Sequence, residues 1–72
     1  MLKLGRDRPA RLDYQSGSYR ILSHGDHVVC AVTGERIPLA DLRYWSHELQ
    51  EAYASVEIAV ARYAEARAKG DL

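Results

Sequence analysis

The sequence lacks the features that mark membrane, secreted and disulfide-stabilised proteins. It has no phenylalanine, one tryptophan, two prolines and one cysteine among 72 residues. A single cysteine forms no internal disulfide, which is typical of a reducing compartment. No run of about 18 apolar residues occurs, so no transmembrane helix is predicted, and residues 1–6 lack the apolar centre of a signal peptide. We therefore expect a cytoplasmic protein without a membrane partner.

Large apolar side chains are also scarce. Ten alanines account for much of the 47 % apolar content. A short chain buries a smaller fraction of its surface than a long one. The composition therefore predicts one small domain with a thin core.

The formal net charge of zero conceals an uneven distribution. Residues 1–23 carry five basic and two acidic side chains, whereas residues 24–72 carry five and eight. We expect residues 1–10 to form a flexible basic arm and residues 11–72 a single small α+β domain. The arm could contact nucleic-acid phosphates through Lys3, Arg6, Arg8 and Arg11. It could equally fold back on the acidic part of the chain.

Strand and turn signals alternate between residues 11 and 39. Alternating segments at 12–14 and 19–22 flank the turn sequence Gln-Ser-Gly-Ser, which predicts a hairpin. Residues 27–32 form a β-branched apolar run typical of a buried strand. A turn at 33–36 and a short apolar segment at 37–39 follow. The pattern predicts a small antiparallel β-meander of hairpins.

The C-terminal part predicts one α-helix of about residues 55–69. Ser55 is suited to cap its first turn, and an apolar stripe of Val56, Val60 and Tyr63 is expected to face the core. Charges that suit the helix dipole and a terminating glycine complete the pattern: Glu57 in the first turn, and Arg67, Lys69 and Gly70 at the other end. The fold class is therefore α+β.

Residues 43–54 admit two interpretations. Apolar residues continue the helical period backwards from the stripe, with Ser46 as a cap, and predict one helix of about residues 46–69. Alternatively, 43–46 pairs with 51–54 as a β-hairpin, and the helix begins only after Ser55.

The hairpin interpretation is favoured by a resemblance to treble-clef zinc fingers. Residues 30–34, Cys-Ala-Val-Thr-Gly, resemble a zinc knuckle, C-x-x-C-G, in which Thr33 replaces the second cysteine. In a knuckle the glycine permits a positive φ, which turns backbone N–H groups toward metal-bound thiolates. Residues 53–58 resemble the helix entry of such fingers, with Ala54 and Ile58 where the pattern has cysteines. The resemblance implies a treble-clef-like, metal-free domain.

Four blocks carry a second, more specific resemblance. They are Cys-Ala-Val-Thr-Gly-Glu at 30–35, Ile-Pro-Leu at 37–39, Asp-Leu-Arg-Tyr-Trp-Ser at 41–46 and Gln-Glu-Ala-Tyr-Ala-Ser at 50–55. Over roughly residues 12–60 the chain is similar to a family of small bacterial proteins called domain of unknown function 2093. The resemblance implies a bacterial, soluble, single-domain protein, and it brings no known activity or catalytic residue.

A metal site of another kind is the remaining chemical alternative. His24, His27, Cys30 and His47 are ligand types that zinc accepts, and the first three have suitable spacing. On a strand, however, His27 and Cys30 point to opposite faces. We therefore expect no metal and no cofactor.

The sequence favours binding over catalysis. It has no nucleophile elbow and no glycine-rich phosphate loop, so we expect no enzymatic activity. Trp, Tyr and Arg dominate the energetics of interfaces, and we expect partner binding at Arg43, Tyr44, Trp45 and Tyr53. The favoured function is a non-enzymatic protein-interaction module, monomeric or weakly dimeric, with a protein partner. The alternative is a nucleic-acid-binding accessory protein that uses the basic arm.

Overall fold

The computed structural model describes residues 8–71. It has six short strands and one helix, in the order β1 (Arg11–Tyr14), β2 (Tyr19–Ser23), β3 (His27–Val29), β4 (Arg36–Pro38), β5 (Tyr44–Ser46), β6 (Glu51–Tyr53) and α1 (Val56–Ala68), with a 3-10 turn at Leu39–Asp41 between β4 and β5. The α+β class with antiparallel hairpins and a C-terminal helix is confirmed. No helix within residues 8–71 has the length and hydropathy that a membrane span requires.

The strands form three separate antiparallel pairs, β1–β2, β3–β4 and β5–β6, rather than one continuous meander. β2 does not pair with β3, because the segment before β1 occupies the other edge of β3. Ala10 N–H donates to the His27 carbonyl at 2.7 Å, and Asp26 N–H donates to the Arg8 carbonyl at 3.2 Å. The described part of the predicted arm, residues 8–10, therefore lies against the domain.

Gly25 is required by this edge contact. A Cβ atom at position 25 would lie 2.3 Å from the Ala10 nitrogen and 2.5 Å from the Arg8 oxygen. Both are backbone atoms, which cannot rotate away as a side chain can. The turn between β2 and β3 thus accepts the 8–10 segment only because it has no side chain there.

The β3–β4 hairpin and the β5–β6 hairpin meet at Cys30. Ala31 N–H donates to the Ala52 carbonyl at 2.9 Å, and Cys30 and Ala52 form an isolated bridge. Cys30 and Ala52 are each 2 % exposed and belong to one buried cluster with Val28, Ile37 and Leu42. The core therefore lies where the two hairpins cross, and α1 packs against it through Ile58.

The helix begins and ends as predicted, but its orientation differs from the prediction. Ser55 Oγ accepts from Ile58 N–H at 3.2 Å, and Gly70 after the last turn has a φ of +80°. Val56, Val60 and Tyr63, expected in the core, are 47, 63 and 48 % exposed. The opposite face packs inward because its small and long side chains fit against β5 and β6: Ala66 is buried, and Ile58 and Arg62 are half-buried.

Candidate functional site: a cleft beside Trp45

Residues 43–54 form the β-hairpin, not the N-terminal part of a long helix. β5 and β6 pair in the register Tyr44 with Tyr53, Trp45 with Ala52 and Ser46 with Glu51. In the connecting turn Gln50 has a φ of +55°, which an α-helix does not allow. Ser46 Oγ accepts from Leu49 N–H at 3.0 Å, so the predicted helix cap closes a β-turn instead.

The side chain of Gln50 joins this hairpin to the first one. Its Oε1 accepts from the Tyr14 N–H at 3.0 Å, and its Nε2 donates to the Tyr14 carbonyl at 2.7 Å. The amide therefore pairs with one residue at the end of β1 as a neighbouring strand would. His47 Nδ1 lies 2.9 Å from the same carbonyl and supports the same junction.

Trp45 is fixed by a hydrogen bond and by two tyrosine rings. Its Nε1 donates to the Gln15 carbonyl at 2.7 Å. The Tyr19 ring meets it edge-on with centroids 5.7 Å apart, and the Tyr14 ring lies 6.3 Å away. These contacts hold the indole half-buried, with one part packed on the β1–β2 hairpin and another part open.

The open part of Trp45 borders a cleft of about 390 Å³, which we call the Trp45 cleft. One wall is the β5–β6 hairpin, the opposite wall is α1, and the β1–β2 turn closes one end. Its lining residues are Gln15, Ser16, Trp45, Ser46, His47, Glu48, Tyr53, Ala59, Val60 and Tyr63. The volume falls in the lower part of the range for ligand sites, about 300–1,000 Å³. It suits one or two protein side chains.

A second depression adjoins the cleft and shares Ser16, Trp45 and Ala59 with it. It is lined by Ser16, Gly17, Arg43, Tyr44, Trp45 and Ala59. The structure therefore places all four residues predicted for partner binding on two adjoining depressions that share Trp45. Arg43 is exposed, and Tyr44 and Trp45 are half-buried.

Tyr53, which was predicted to bind a partner, is buried. It is 3 % exposed and lines the cleft from within. Its hydroxyl donates to Glu51 Oε1 at 3.0 Å. Burial, together with this carboxylate, raises the pKa of Tyr53 to about 12. Its contribution is to shape the cleft and hold Glu51.

An ion pair attaches the helix wall to the hairpin wall. Arg62 donates to Glu51 Oε1 through Nε at 3.0 Å and to Glu51 Oε2 through Nη2 at 3.3 Å. Its Nη1 reaches Glu65 at 2.8 Å. The hydrogen bonds from Arg62 lower the pKa of Glu51 despite its partial burial. The two walls of the cleft are therefore held at a fixed separation.

Cys30 lies away from the cleft, in the turn between β3 and β4. Gly34 in this turn has a φ of +77°, the positive value predicted for a knuckle glycine. Burial raises the pKa of the Cys30 thiol, but hydrogen bonds from Thr33, from the Val32 and Thr33 backbone and from the Ala54 backbone outweigh it, so the pKa is lowered. Thr33 N lies 3.5 Å from Sγ.

The four candidate ligands of the alternative zinc site do not come together. His27 is buried, with Nδ1 2.5 Å from Asp26 Oδ1, and His47 lies beside Tyr14 in another part of the molecule. His24 is exposed. Within residues 8–71, no three His, Cys, Asp or Glu side chains are placed to hold a metal ion.

The basic residues of the predicted nucleic-acid surface are only partly described. Lys3 and Arg6 lie outside the described residues. Arg8 and Arg11 are exposed. Neither lines the Trp45 cleft.

Sequence reasoning found Trp45 and Tyr53 but missed the rest of the cleft. From the sequence, His47 is considered only as a zinc ligand, Glu48 is not singled out, and Val60 and Tyr63 are expected in the core. The sequence did contain a signal for the inward face of α1. The apolar stripe of the helix is short and interrupted by charge, whereas alanines at 59 and 66 indicate the face that packs closely against other backbone.

Comparison with known proteins places the chain in a family. No curated protein and no solved structure matches it. The model of the family described as "Uncharacterized protein conserved in bacteria (DUF2093)" matches residues 21–62, which is more than half of the chain. The matched segment runs from β2 into α1 and includes the hairpin wall of the Trp45 cleft and Ala59 and Val60 of the helix wall, whereas Tyr63 and the turn residues Gln15 and Ser16 lie outside it. The protein belongs to this bacterial family.

Proposed function

We propose that the protein is a non-enzymatic protein-interaction module that binds a segment of a partner polypeptide in the Trp45 cleft. The observation that carries this proposal is the cleft itself, in which three aromatic rings and Val60 surround a space of about 390 Å³. Rings that are held in place lose little entropy on binding, which is why Trp and Tyr dominate binding energetics.

The chemistry of the rim specifies the partner segment. Glu48 is exposed at the cleft, and among residues 8–71 its carboxylate accepts only a long hydrogen bond, 3.4 Å, from Ser46 Oγ. The occupant is therefore an apolar or aromatic side chain with a Lys or Arg next to it, which places a positive charge beside Glu48. Electrostatic complementarity of this kind selects among partners more than it adds affinity.

The scaffold that presents the cleft is, we infer, a treble clef that holds together without metal. The order knuckle hairpin, second hairpin and helix supports this, as do the backbone N–H groups directed at Cys30 Sγ. Ala54 and Ile58, which occupy ligand positions of the pattern, pack against the buried cluster that contains Cys30. In place of a metal ion, the Glu51–Arg62 ion pair attaches the helix to the β5–β6 hairpin.

A peptide selection tests the proposed function. A randomised peptide library is selected on the folded chain, and the selected peptides are synthesised for titration. We expect an apolar or aromatic residue adjacent to Lys or Arg in the selected sequences. Glu48→Lys should weaken the binding of such peptides about five- to tenfold, because the exposed ion pair between Glu48 and the peptide Lys or Arg is replaced by a repulsion. Replacing the peptide Lys by Glu should restore binding to that variant.

Two further variants separate the cleft from the rest of the surface. Ala59→Leu adds volume at a position that both depressions share, and should block binding while leaving the helix intact. Leu22→Ser removes a large side chain that is 57 % exposed on β2, away from the cleft, and should leave binding unchanged. Peptides that bind Glu48→Lys and Ala59→Leu as tightly as the unmodified chain would refute the proposal.

A further inference from the structure

The outward face of α1 extends beyond the Trp45 cleft, and no other element of residues 8–71 covers it. Every residue on it is exposed, and its three large apolar side chains are among the most exposed of the chain. At about 100° per residue its members fall within one sector of about 120°. We call this set the outer face of α1: Val56, Glu57, Val60, Tyr63, Ala64 and Arg67.

The spacing on the outer face is that of a helix–helix seam. Positions 56, 60, 63 and 67 follow the alternating four- and three-residue steps of a coiled-coil stripe. Val56, Val60 and Tyr63 fill the first three positions, and the aliphatic part of Arg67 covers the fourth, as long basic side chains do beside apolar surface. The face is therefore shaped for another helix.

The charges on the outer face specify which helix. Arg62, Glu65 and Lys69 pair within the chain, whereas neither Glu57 nor Arg67 forms an ion pair with another residue of 8–71. Glu57 lies in the first turn and Arg67 in the last, roughly 15 Å apart along the axis. Tyr63 and Arg67 are in contact, with the guanidinium 5.8 Å from the ring centre.

An antiparallel copy of the same helix matches this pattern. With a two-fold axis at the level of residue 62, Glu57 of each copy is level with Arg67 of the other, and Val60 of each lies about one residue from Tyr63 of the other. The surface is thus complementary to itself, as a two-fold interface requires. In a parallel arrangement, by contrast, Glu57 would face Glu57 and Arg67 would face Arg67.

We propose that two copies of the chain associate through the outer face of α1, with their helices antiparallel. Val60 and Tyr63 also line the Trp45 cleft, whereas Glu57 and Arg67 do not, so this association covers part of the helix wall of the cleft and competes with peptide binding there. The contact is small, so it is weak, with a dissociation constant of roughly 0.1–1 mM.

Charge reversal tests the proposal by sedimentation equilibrium at low salt over a range of protein concentrations. Glu57→Arg alone and Arg67→Glu alone should each raise the dissociation constant about tenfold, because each converts both symmetry-related pairs into repulsions. An equimolar mixture of the two variants should associate as tightly as the unmodified chain, since both pairs are then restored. The double variant Glu57→Arg/Arg67→Glu should behave in the same way.

The rescue by mixing separates association from helix stability. Either reversal weakens the helix through its dipole, and mixing cannot repair that loss within each chain. Val56→Asp, at a position outside the cleft lining and with helicity checked by circular dichroism, should abolish association, whereas Leu22→Asp on β2 should not. The proposal is overturned if the unmodified chain stays monomeric at 1 mM, if mixing gives no rescue, or if the single reversals leave the constant unchanged. The substituted positions Val56, Glu57 and Arg67 lie outside the cleft lining, so failure of association leaves the proposed peptide binding to be decided by its own titration.

Discussion

Glu51 links the C-terminal helix to the last hairpin. Its carboxylate accepts two hydrogen bonds from Arg62 and one from Tyr53, and the side chains of Glu51 and Arg62 are 24 and 21 % exposed. Charge-assisted bonds at partly buried positions contribute more than exposed ion pairs. We therefore expect Glu51→Gln to lower the free energy of unfolding by about 1–2 kcal/mol.

The same residue predicts how stability depends on pH. The folded pKa of Glu51 lies below its ordinary value of 4.5, so the unfolded chain takes up the proton first as the pH falls. Its stabilising contribution is therefore complete above that value and is lost as the pH decreases through the lowered pKa. In urea unfolding between pH 7 and pH 3, the free energy of unfolding should fall less for Glu51→Gln than for the unmodified chain. Glu35→Gln changes a carboxylate in an exposed turn, and its free energy of unfolding should fall with pH as much as that of the unmodified chain.

The contacts of Gln50 explain why the residues from 43 to 54 were ambiguous. Apolar spacing alone continues from Leu49 to Tyr63 and indicates a helix. What decides for the hairpin is the pairing of the Gln50 side chain with Tyr14, 36 residues away in sequence, together with its positive φ. Periodicity contains no information about such long-range contacts. The Ser55 cap, in contrast, depends on local chemistry and was predicted correctly.

Gly25 makes a testable contribution at the level of elements. Gly25→Ala should displace residues 8–10 from β3, because the new Cβ would meet backbone on that segment at 2.3–2.5 Å. We expect a loss of about 2 kcal/mol or more in unfolding free energy, and faster amide exchange at Ala10. Gly17→Ala is the matched control, since a Cβ there meets nothing within 4 Å. Equal stability of the two variants would contradict the edge contact.

The treble-clef interpretation is tested by restoring the missing ligands. Thr33→Cys, Ala54→Cys and Ile58→Cys together with Cys30 place cysteine at all four positions of the pattern. If these positions converge, the variant binds cobalt(II) and shows the visible absorption of a tetrahedral thiolate site. The control adds Cys30→Ala to the three changes and should lose that spectrum. Absence of tetrahedral cobalt in the four-cysteine variant would show that the resemblance to zinc fingers is accidental.

At the scale of the whole molecule, the binding surface arises from segments that are distant in sequence. The cleft joins the turn at 15–16, the hairpin at 45–53 and the helix at 59–63. Sequence reasoning identified Trp45 and Tyr53 because aromatic residues near an arginine are informative by themselves. It placed the helix stripe in the core, because the stripe's orientation depends on Glu51 binding Arg62 on the opposite face. The α+β class and the family were both predicted from local patterns.

Titration of the single tryptophan tests the central claim most directly, because Trp45 borders the proposed binding cleft. A synthetic peptide with an apolar residue beside Lys is added to the folded chain, and Trp45 emission is recorded. Desolvation of the half-buried indole should shift the emission to shorter wavelength and saturate at one peptide per chain, with weaker binding by Glu48→Lys. Binding without any change in Trp45 emission, or with equal affinity for Glu48→Lys, would contradict the account.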